Sequence, residues 1–521
     1  MVSLLSSLNM TANALSVNEK AISVVSHNVS NMNTEGYHKQ RANLVTRNNA
    51  GVIGNNVNNQ IRANGGVMIA NVIRYNNEYL NNYYRDQLSH QKMLEQQLDN
   101  LGNLAGVFDD LEGKGIDAAL SKFYEALNNL NEYPASSTAR TNFIQTAKSL
   151  TSVLNAKSIE LEQMNSQALG DGVSEEALQG SKIYTQITAF NDKLQQLADV
   201  NKALQVTQTG TLEANNLLDK RDLILNDLAE FVDFTVDEKP NGSVNLYIGD
   251  AAIVKGSKVV GEFSIETAEA YEKRTGLKPN EKAVISINGE IQVDNINGIL
   301  QGGTIGGLIH SGTDNQDGVA NPGTVMASLN TLAQAIANIF NDLNKNPNAH
   351  PIDPNNTETL LETNPGYDIF VTGGAAGEPI TAGNIQINPE LLTEDGCWKI
   401  ACAYFDDPNN FDVNAVGNAQ NVAAMLGTRD QKLDDLKGMS IEDFYTNLVG
   451  KIASAGNNIQ TQYDTQKDIV DSIWNQMNSE NGVDLNEELV DLVKYQTAYA
   501  AAAQVFNTCN NCLDVLMSLG G

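Results

Sequence analysis

Both ends of this 521-residue chain carry the same constraint, an apolar side chain at every seventh position. At the start, Met1, Leu8, Leu15, Ile22 and Val29 form one row and Leu4, Val25 and Met32 a second, interrupted at Thr11 and Asn18. At the other end Leu485, Leu492, Tyr499, Phe506 and Leu513 repeat at the same interval, beside Leu489, Ala503 and Met517. A seven-residue period keeps one narrow stripe on one side of a helix, the pattern of a coiled-coil seam. Each end is therefore predicted to be a long helix that buries its stripe on another helix. The first should stop at residues 31–37, where Gly36 can take the left-handed conformation. The second should begin at Asp484 as N-cap, with Glu487 and Glu488 in its first turn.

Stripes this narrow do not support a helix alone. Ordering one residue costs about 1–2 kcal/mol of backbone entropy, while burying one large apolar side chain contributes about 1.5–3 kcal/mol. The ends are therefore expected to be largely disordered in the free monomer and to fold when neighbours cover the seams. An ordinary antiparallel pair inside one globular core fits the stripes as well.

Between the ends the pattern changes several times. Helical periodicity runs from about 76 to 231, alternation with strand character from about 235 to 302, and helix again around Leu329–Phe340. A second β-type stretch ends near 410, and a long helical region around Leu448–Ile473 leads into the final repeat. Within the first β stretch, Ile285–Ile291 reads as a hairpin about Asn288-Gly289. The expected fold class is α+β and multidomain, with coiled-coil-like helices from both termini and an inserted β-rich outer domain. The division is 1–45 with 480–521 as a terminal axial core; 46–234, 303–346 and 411–479 as a mainly helical rod; and 235–302 with 347–410 as the β-rich part.

Charge narrows the partners. With 63 acidic against 33 basic residues the net charge is −30, which repels phosphate backbones and anionic lipid alike. Nucleic acid and membrane surfaces are not expected partners. No stretch approaches the roughly 20 apolar residues that cross a bilayer, and no basic region precedes the first apolar residues, so no cleaved signal peptide is expected.

At Ser26-His27-Asn28-Val29-Ser30-Asn31-Met32-Asn33-Thr34-Glu35-Gly36-Tyr37 the sequence resembles the N-terminal signature of flagellar rod, hook and hook-associated proteins. His27 departs from it; Asn28, Asn31, Asn33, Thr34, Gly36 and Tyr37 match. The run from Gly482 to Leu489, with Tyr495-Gln496-Thr497-Ala498-Tyr499, looks like the C-terminal partner signature of the same axial family. Three internal stretches, Leu217–Asp222, Gly302–Leu308 and Thr381–Pro389, resemble motifs of its hook-filament junction members rather than of hook or rod proteins. The resemblance implies a non-enzymatic structural subunit of the bacterial flagellum, extracellular and secreted through the flagellar type III apparatus. It implies as partners other copies of the chain, the hook protein, the second hook-associated junction protein, and an export chaperone of the FlgN type on the C-terminal helix. The seam residues Leu8, Leu15, Ile22, Val29, Leu485, Leu492, Tyr499, Phe506 and Leu513 are the expected assembly interface. A hook or distal rod subunit is the first rival reading, and a secreted hydrolase or adhesin with axial-type ends the second.

No catalytic, cofactor or metal residues are expected. Five histidines are scattered, with no nucleophile motif beside them. The glycines at 302–307 lack the Gly-Lys-Ser/Thr ending of a phosphate loop, and a tight strand-to-helix connection is the better reading. Cys397 with Cys402 and Cys509 with Cys512 read best as small buried residues, a local disulfide or metal pair being the alternative. Asp406–Asp412 lacks the spacing of a calcium loop and reads as solvated. The energetics of the ends give the first test. Limited proteolysis of the monomer is expected to cut within residues 1–40 and 485–521; ends that survive intact would contradict it.

Overall fold

The computed structural model describes residues 2–46, 66–109, 113–278, 283–287, 300, 302–313, 320–353, 366–375, 377–407, 412 and 414–519. The Asn288-Gly289 turn, residues 408–411 of the acidic run, Met1 and the closing Gly520-Gly521 lie outside these residues.

The chain leaves and returns along one axis. Helix α1 (Val2–Asn31) leads to the antiparallel hairpin β1 (Gln40–Thr46) and β2 (Val67–Arg74), then to α2 (Glu78–Val107). Four helices follow, α3 (Ile116–Glu132), α4 (Ser137–Leu169), α5 (Glu175–Gln179) and α6 (Lys182–Val206), and then α7 (Leu212–Phe231). Ser136, Ser174, Ser181 and Thr211 each accept a bond from the backbone N–H three residues on, as N-caps. Each such cap is worth about 1 kcal/mol. Strands β3 (Thr235–Glu238), β4 (Val244–Ile248), β5 (Ala251–Lys255) and β6 (Lys258–Val259) form an antiparallel meander, and β7 (Phe263–Thr267) pairs with β8 (Ala283–Ile287). Between β7 and β8 the expected strand character gives way to a short helix, α8 (Ala268–Thr275). Local end chemistry decides this: Thr267 caps it, Glu269 and Lys273/Arg274 suit its two ends, and Gly276 closes it at φ 72°.

Helix α9 (Gly303–Thr313) and helix α10 (Pro322–Asn344) come next, then the short pairs β9 (Ala349–His350) with β12 (Ala403–Tyr404) and β10 (Phe370–Thr372) with β11 (Ile385–Ile387). Helix α11 (Gln420–Gly427), the long α12 (Ile441–Asn481) and α13 (Leu485–Leu519) complete the chain. Asp484 caps α13 as the sequence suggests, its Oδ1 accepting from the N–H of Asn486 at 2.7 Å and of Glu487 at 3.3 Å. No described helix is long and apolar enough to cross a membrane.

Two main cores lie side by side. The first joins α3, α4, α10 and the start of α12 around a cluster of tilted and edge-on rings: Phe123 lies 5.3 Å from Phe143, 5.0 Å from Phe340 and 6.4 Å from Phe370. The second joins α6, α7 and α9 to β4, β5, β7 and β8, with Phe190 stacked on Phe263 at 5.0 Å. The two β-rich stretches, expected to share one outer domain, thus enter different cores: Val244–Ile287 packs in the second, whereas Phe370, Ile385, Ile387 and Leu391 pack in the first. A two-stranded ribbon cannot bury its own face and takes the nearest helix as its cover.

The glycine-rich stretch is a close-packing device. Gly303 opens α9 at φ 69°, and a Cβ there would sit 2.1 Å from the carbonyl carbon of Phe231; at Gly307 it would sit 2.8 Å from Cβ of Gln96. Gly303→Ala is expected to combine backbone strain with overpacking and lower stability by about 2–4 kcal/mol. The denaturant midpoint followed by far-UV circular dichroism measures this. An unshifted midpoint would show that the close approach is not needed.

Candidate functional site

The site is the antiparallel pair of end helices and the turn beneath it. Asn28 of α1 lies beside Glu488 at the start of α13, and further along Ala21, Val24 and Val25 form a small cluster with Tyr495 and Leu492. The polar breaks in the α1 stripe are satisfied within the helix: Thr11 Oγ1 donates to the Ser7 carbonyl at 3.0 Å and Asn18 Nδ2 to the Ala14 carbonyl at 2.8 Å.

Of the expected interface residues, Leu8, Leu15, Ile22, Val29, Leu492, Phe506 and Leu513 are half-buried, while Leu485 and Tyr499 are exposed. The second row of α13 lies on the other side from the expected one. Glu488 and Tyr495 are buried and Ala502 and Cys509 half-buried, whereas of the expected row Ala503 is half-buried but Leu489 is 46% and Met517 68% exposed. Both sides of this helix carry apolar residues, so spacing alone does not choose between a row three residues on and one four residues on. The covered row is the one that meets α1. The opposite side stays open, with Val490 68% and Val493 61% exposed. All four cysteines are free; Cys397 and Cys402 are buried in the first core, but Cys512 is exposed, contrary to the reading of both pairs as buried.

The signature residues tie α1 to the turn and to the first strand of the hairpin. Asn28 Nδ2 donates to the Gln40 carbonyl at 2.8 Å, and its Oδ1 accepts from the Gln40 N–H at 3.1 Å and from the Tyr37 hydroxyl at 2.7 Å. Burial first, then Asp219 and Glu488, raises the Tyr37 phenol, so it stays a proton donor. Asn31 Nδ2 donates to the His27 carbonyl at 2.9 Å, and the Thr34 N–H donates to the Asn31 carbonyl at 2.9 Å. Gly36 turns the chain at φ 72°, with Leu223 of α7 3.4 Å from where a Cβ would stand. Asn33 is exposed and makes no side-chain hydrogen bond among the described residues.

Beneath the turn lies a buried ionic cluster built on the Leu217–Asp222 motif. Arg74 Nε donates to Asp219 Oδ1 at 2.7 Å and its Nη2 to Asp222 Oδ2 at 2.6 Å. Arg85 of α2 and Arg221 reach Asp222 Oδ1 at 3.2 Å and 2.8 Å, and Arg221 also pairs with Glu238 at 3.0 Å. His38 Nδ1 lies 3.0 Å from Asp219. Burial opposes ionisation of Asp222, but Arg221, Arg74 and Arg85 outweigh it and hold the carboxyl far below the usual range. Because the folded pKa is depressed, this contribution to stability is present above the unfolded carboxylate value and is lost only as pH falls towards the folded one. The motif was visible in the sequence, but its partners Arg74 and Arg85 lie more than a hundred residues away and carry no local signal.

On the other side of the turn α2 and α12 form a second antiparallel pair. Leu80 packs with Ile473 and Met477, and Gln466 Nε2 donates to the Gln87 carbonyl at 2.9 Å. The Lys39 N–H donates to the Asn481 carbonyl at 2.8 Å, linking the turn to the end of α12.

Residues 101–348 match the flagellar hook-associated protein FlgK helical domain, residues 8–38 the flagella basal body rod protein family, and residues 475–519 the C-terminal family of the flagellar basal body rod FlgEFG proteins. Flagellar hook-associated protein 1 of Bacillus subtilis is 25% identical, the alignment covering 100% of both chains. That of Salmonella typhimurium is 22% identical over 98% of this chain and 99% of its own. In fold, the chain is similar to the flagellar hook junction protein FlgK from Burkholderia pseudomallei, with a TM-score of 0.53 at 13% identity over 76% of this chain and 100% of that one. In its paired end helices, signature turn and helical body the chain is thus similar, along its whole length, to flagellar hook-associated protein 1.

Proposed function

We infer that the chain is a structural subunit of the bacterial flagellum that forms the junction between hook and filament and assembles through its terminal helices. The observation that carries this reading is the half-covered end pair. Helix α1 covers one side of α13, and Leu485, Leu489, Val490, Val493, Val505 and Met517 remain exposed. An apolar face of this length on a chain with net charge −30 is suited to helices from neighbouring subunits, because uncharged contacts avoid repulsion between copies. Burying each of these side chains contributes on the order of 1–3 kcal/mol, enough to hold a helix pair that is marginal alone.

Partners follow from the same face. Copies of the chain would share it laterally, the hook protein would meet the assembly from below and the second hook-associated junction protein from above. The signature residues Asn28, Asn31, Thr34, Gly36 and Tyr37 would hold the end pair at a fixed angle to the rest. Before assembly an exposed stripe of this kind needs cover, and an export chaperone of the FlgN type on α13 would supply it. Export through the flagellar type III apparatus, without a cleaved signal peptide, is the corresponding route. The motifs at Leu217–Asp222 and Gly302–Leu308, which organise the body, favour the junction over a hook or rod subunit.

A deletion strain tests the reading. Intact hooks without filaments, with flagellin lost to the medium, are the expected outcome, and normal filaments would contradict it.

A further inference from the structure

The contact between the hairpin and α7 differs in kind from the rest of the molecule. The main cores are largely apolar, with buried Arg140, Asn201 and Asn341 bonded to backbone groups, but here the contact is built on paired charges and regularly spaced polar bonds. The Val72 N–H donates to the Gly210 carbonyl at 2.7 Å, Asn215 Nδ2 donates to the Val72 carbonyl at 3.1 Å and to Gln40 Oε1 at 3.0 Å, and Arg74 reaches Asp219 and Asp222. Val72 and Arg74 are two residues apart on a strand, so they point to one side; Asn215, Asp219 and Asp222 succeed one another along one side of a helix. Leu212 is the one α7 residue in the apolar end cluster among the described residues.

Such an arrangement fixes a register. If β2 slid by one residue along α7, Ile73, now 44% exposed, would face Asp219 and Asp222 in place of Arg74. Two buried carboxylates would then lose a guanidinium partner, a cost far larger than the slip of an apolar contact. Apolar surfaces tolerate sliding, and paired charges with defined geometry do not.

We propose that β2 and α7 form a keyed joint, with Arg74 as its positioning residue, that sets the angle between the end-helix pair and the two-core body. The joint sits where the end region meets the body, beneath the signature turn, with Arg85 of α2 reaching into its ionic cluster. A cleft of about 350 Å³, lined by Met32, Trp474, Met477 and Asn481, separates the turn from α12 on the other side. On the α12 side the turn keeps the bond from the Lys39 N–H to the Asn481 carbonyl beside this cleft, so loss of the key is expected to let it pivot about that bond. This property belongs to the chain itself and does not depend on which partners the end helices meet.

Distances between spin labels in the full-length chain test it. Labels on Ala70→Cys in β2 and Gln196→Cys in α6, both exposed positions, are measured by pulsed electron paramagnetic resonance with Cys509→Ser and Cys512→Ser removing the accessible native thiols. The native joint is expected to give one narrow distance distribution. Arg74→Gln should at least double its width and also lower the far-UV thermal midpoint, since it leaves Asp219 and Asp222 short of a guanidinium, and Arg74→Lys, which keeps the charge but not the two-pronged geometry, should fall between. Gln40→Ala removes only neutral bonds to Asn215 and Asn216 and should also broaden the distribution, which keeps the test open if Arg74→Gln unfolds the chain. Native width in every variant that remains folded at the measuring temperature would overturn the proposal.

Discussion

Everything in this molecule depends on the pairing of its two ends. Because α1 and α13 run antiparallel and meet at Asn28 and Glu488, the chain between them has to leave and return at the same place. The α2–α12 pair continues that path, and the two cores are inserted at its far end. An antiparallel pair covers only one side of each helix, so the geometry that closes the chain also leaves an apolar face of α13 open. Closure and assembly are two consequences of one helix-helix contact.

Between the ends and the body the means of attachment changes. The cores are held mainly by aromatic contact and aliphatic burial, forces that act over area and set no unique register, with a few buried polar side chains such as Arg140 and Asn341 bonded to the backbone. Around Asp219 and Asp222 the chain instead buries charge, which replacement by apolar residues of similar volume often matches or improves in stability. Retaining three guanidinium groups there makes physical sense as a fixer of geometry. The Asn28 bonds serve the same end, joining the foot of α1 to the backbone of Gln40, and Gly36 lets the turn approach Leu223 of α7 closely.

Much of this was legible in the sequence, for identifiable reasons. A seven-residue repeat and an Asp484 cap are local, so both end helices could be read directly, as could the glycine entry to α9. The covered row of α13 could not, because it includes Glu488, a charged residue buried beside Asn28, which a count of apolar residues passes over. Helix α8 was hidden because its signal lies in the caps Thr267 and Gly276, not in periodicity. The split of the β-rich stretches between two cores, and the pairing of Arg74 and Arg85 with Asp222, depend on contacts between distant parts of the chain. Residue type announces a charge, but only the fold names its partner.

The central claim is that the open side of α13 drives assembly, and isolated hooks offer the most direct measurement. Purified full-length chain added to them should form an ordered layer at the hook tip, seen by electron microscopy. Val490→Asp with Val493→Asp should weaken that layer by at least about tenfold, since each carboxylate would have to be buried unpaired. Layers that form equally well with both aspartates in place, or no layer from the native chain, would contradict the account.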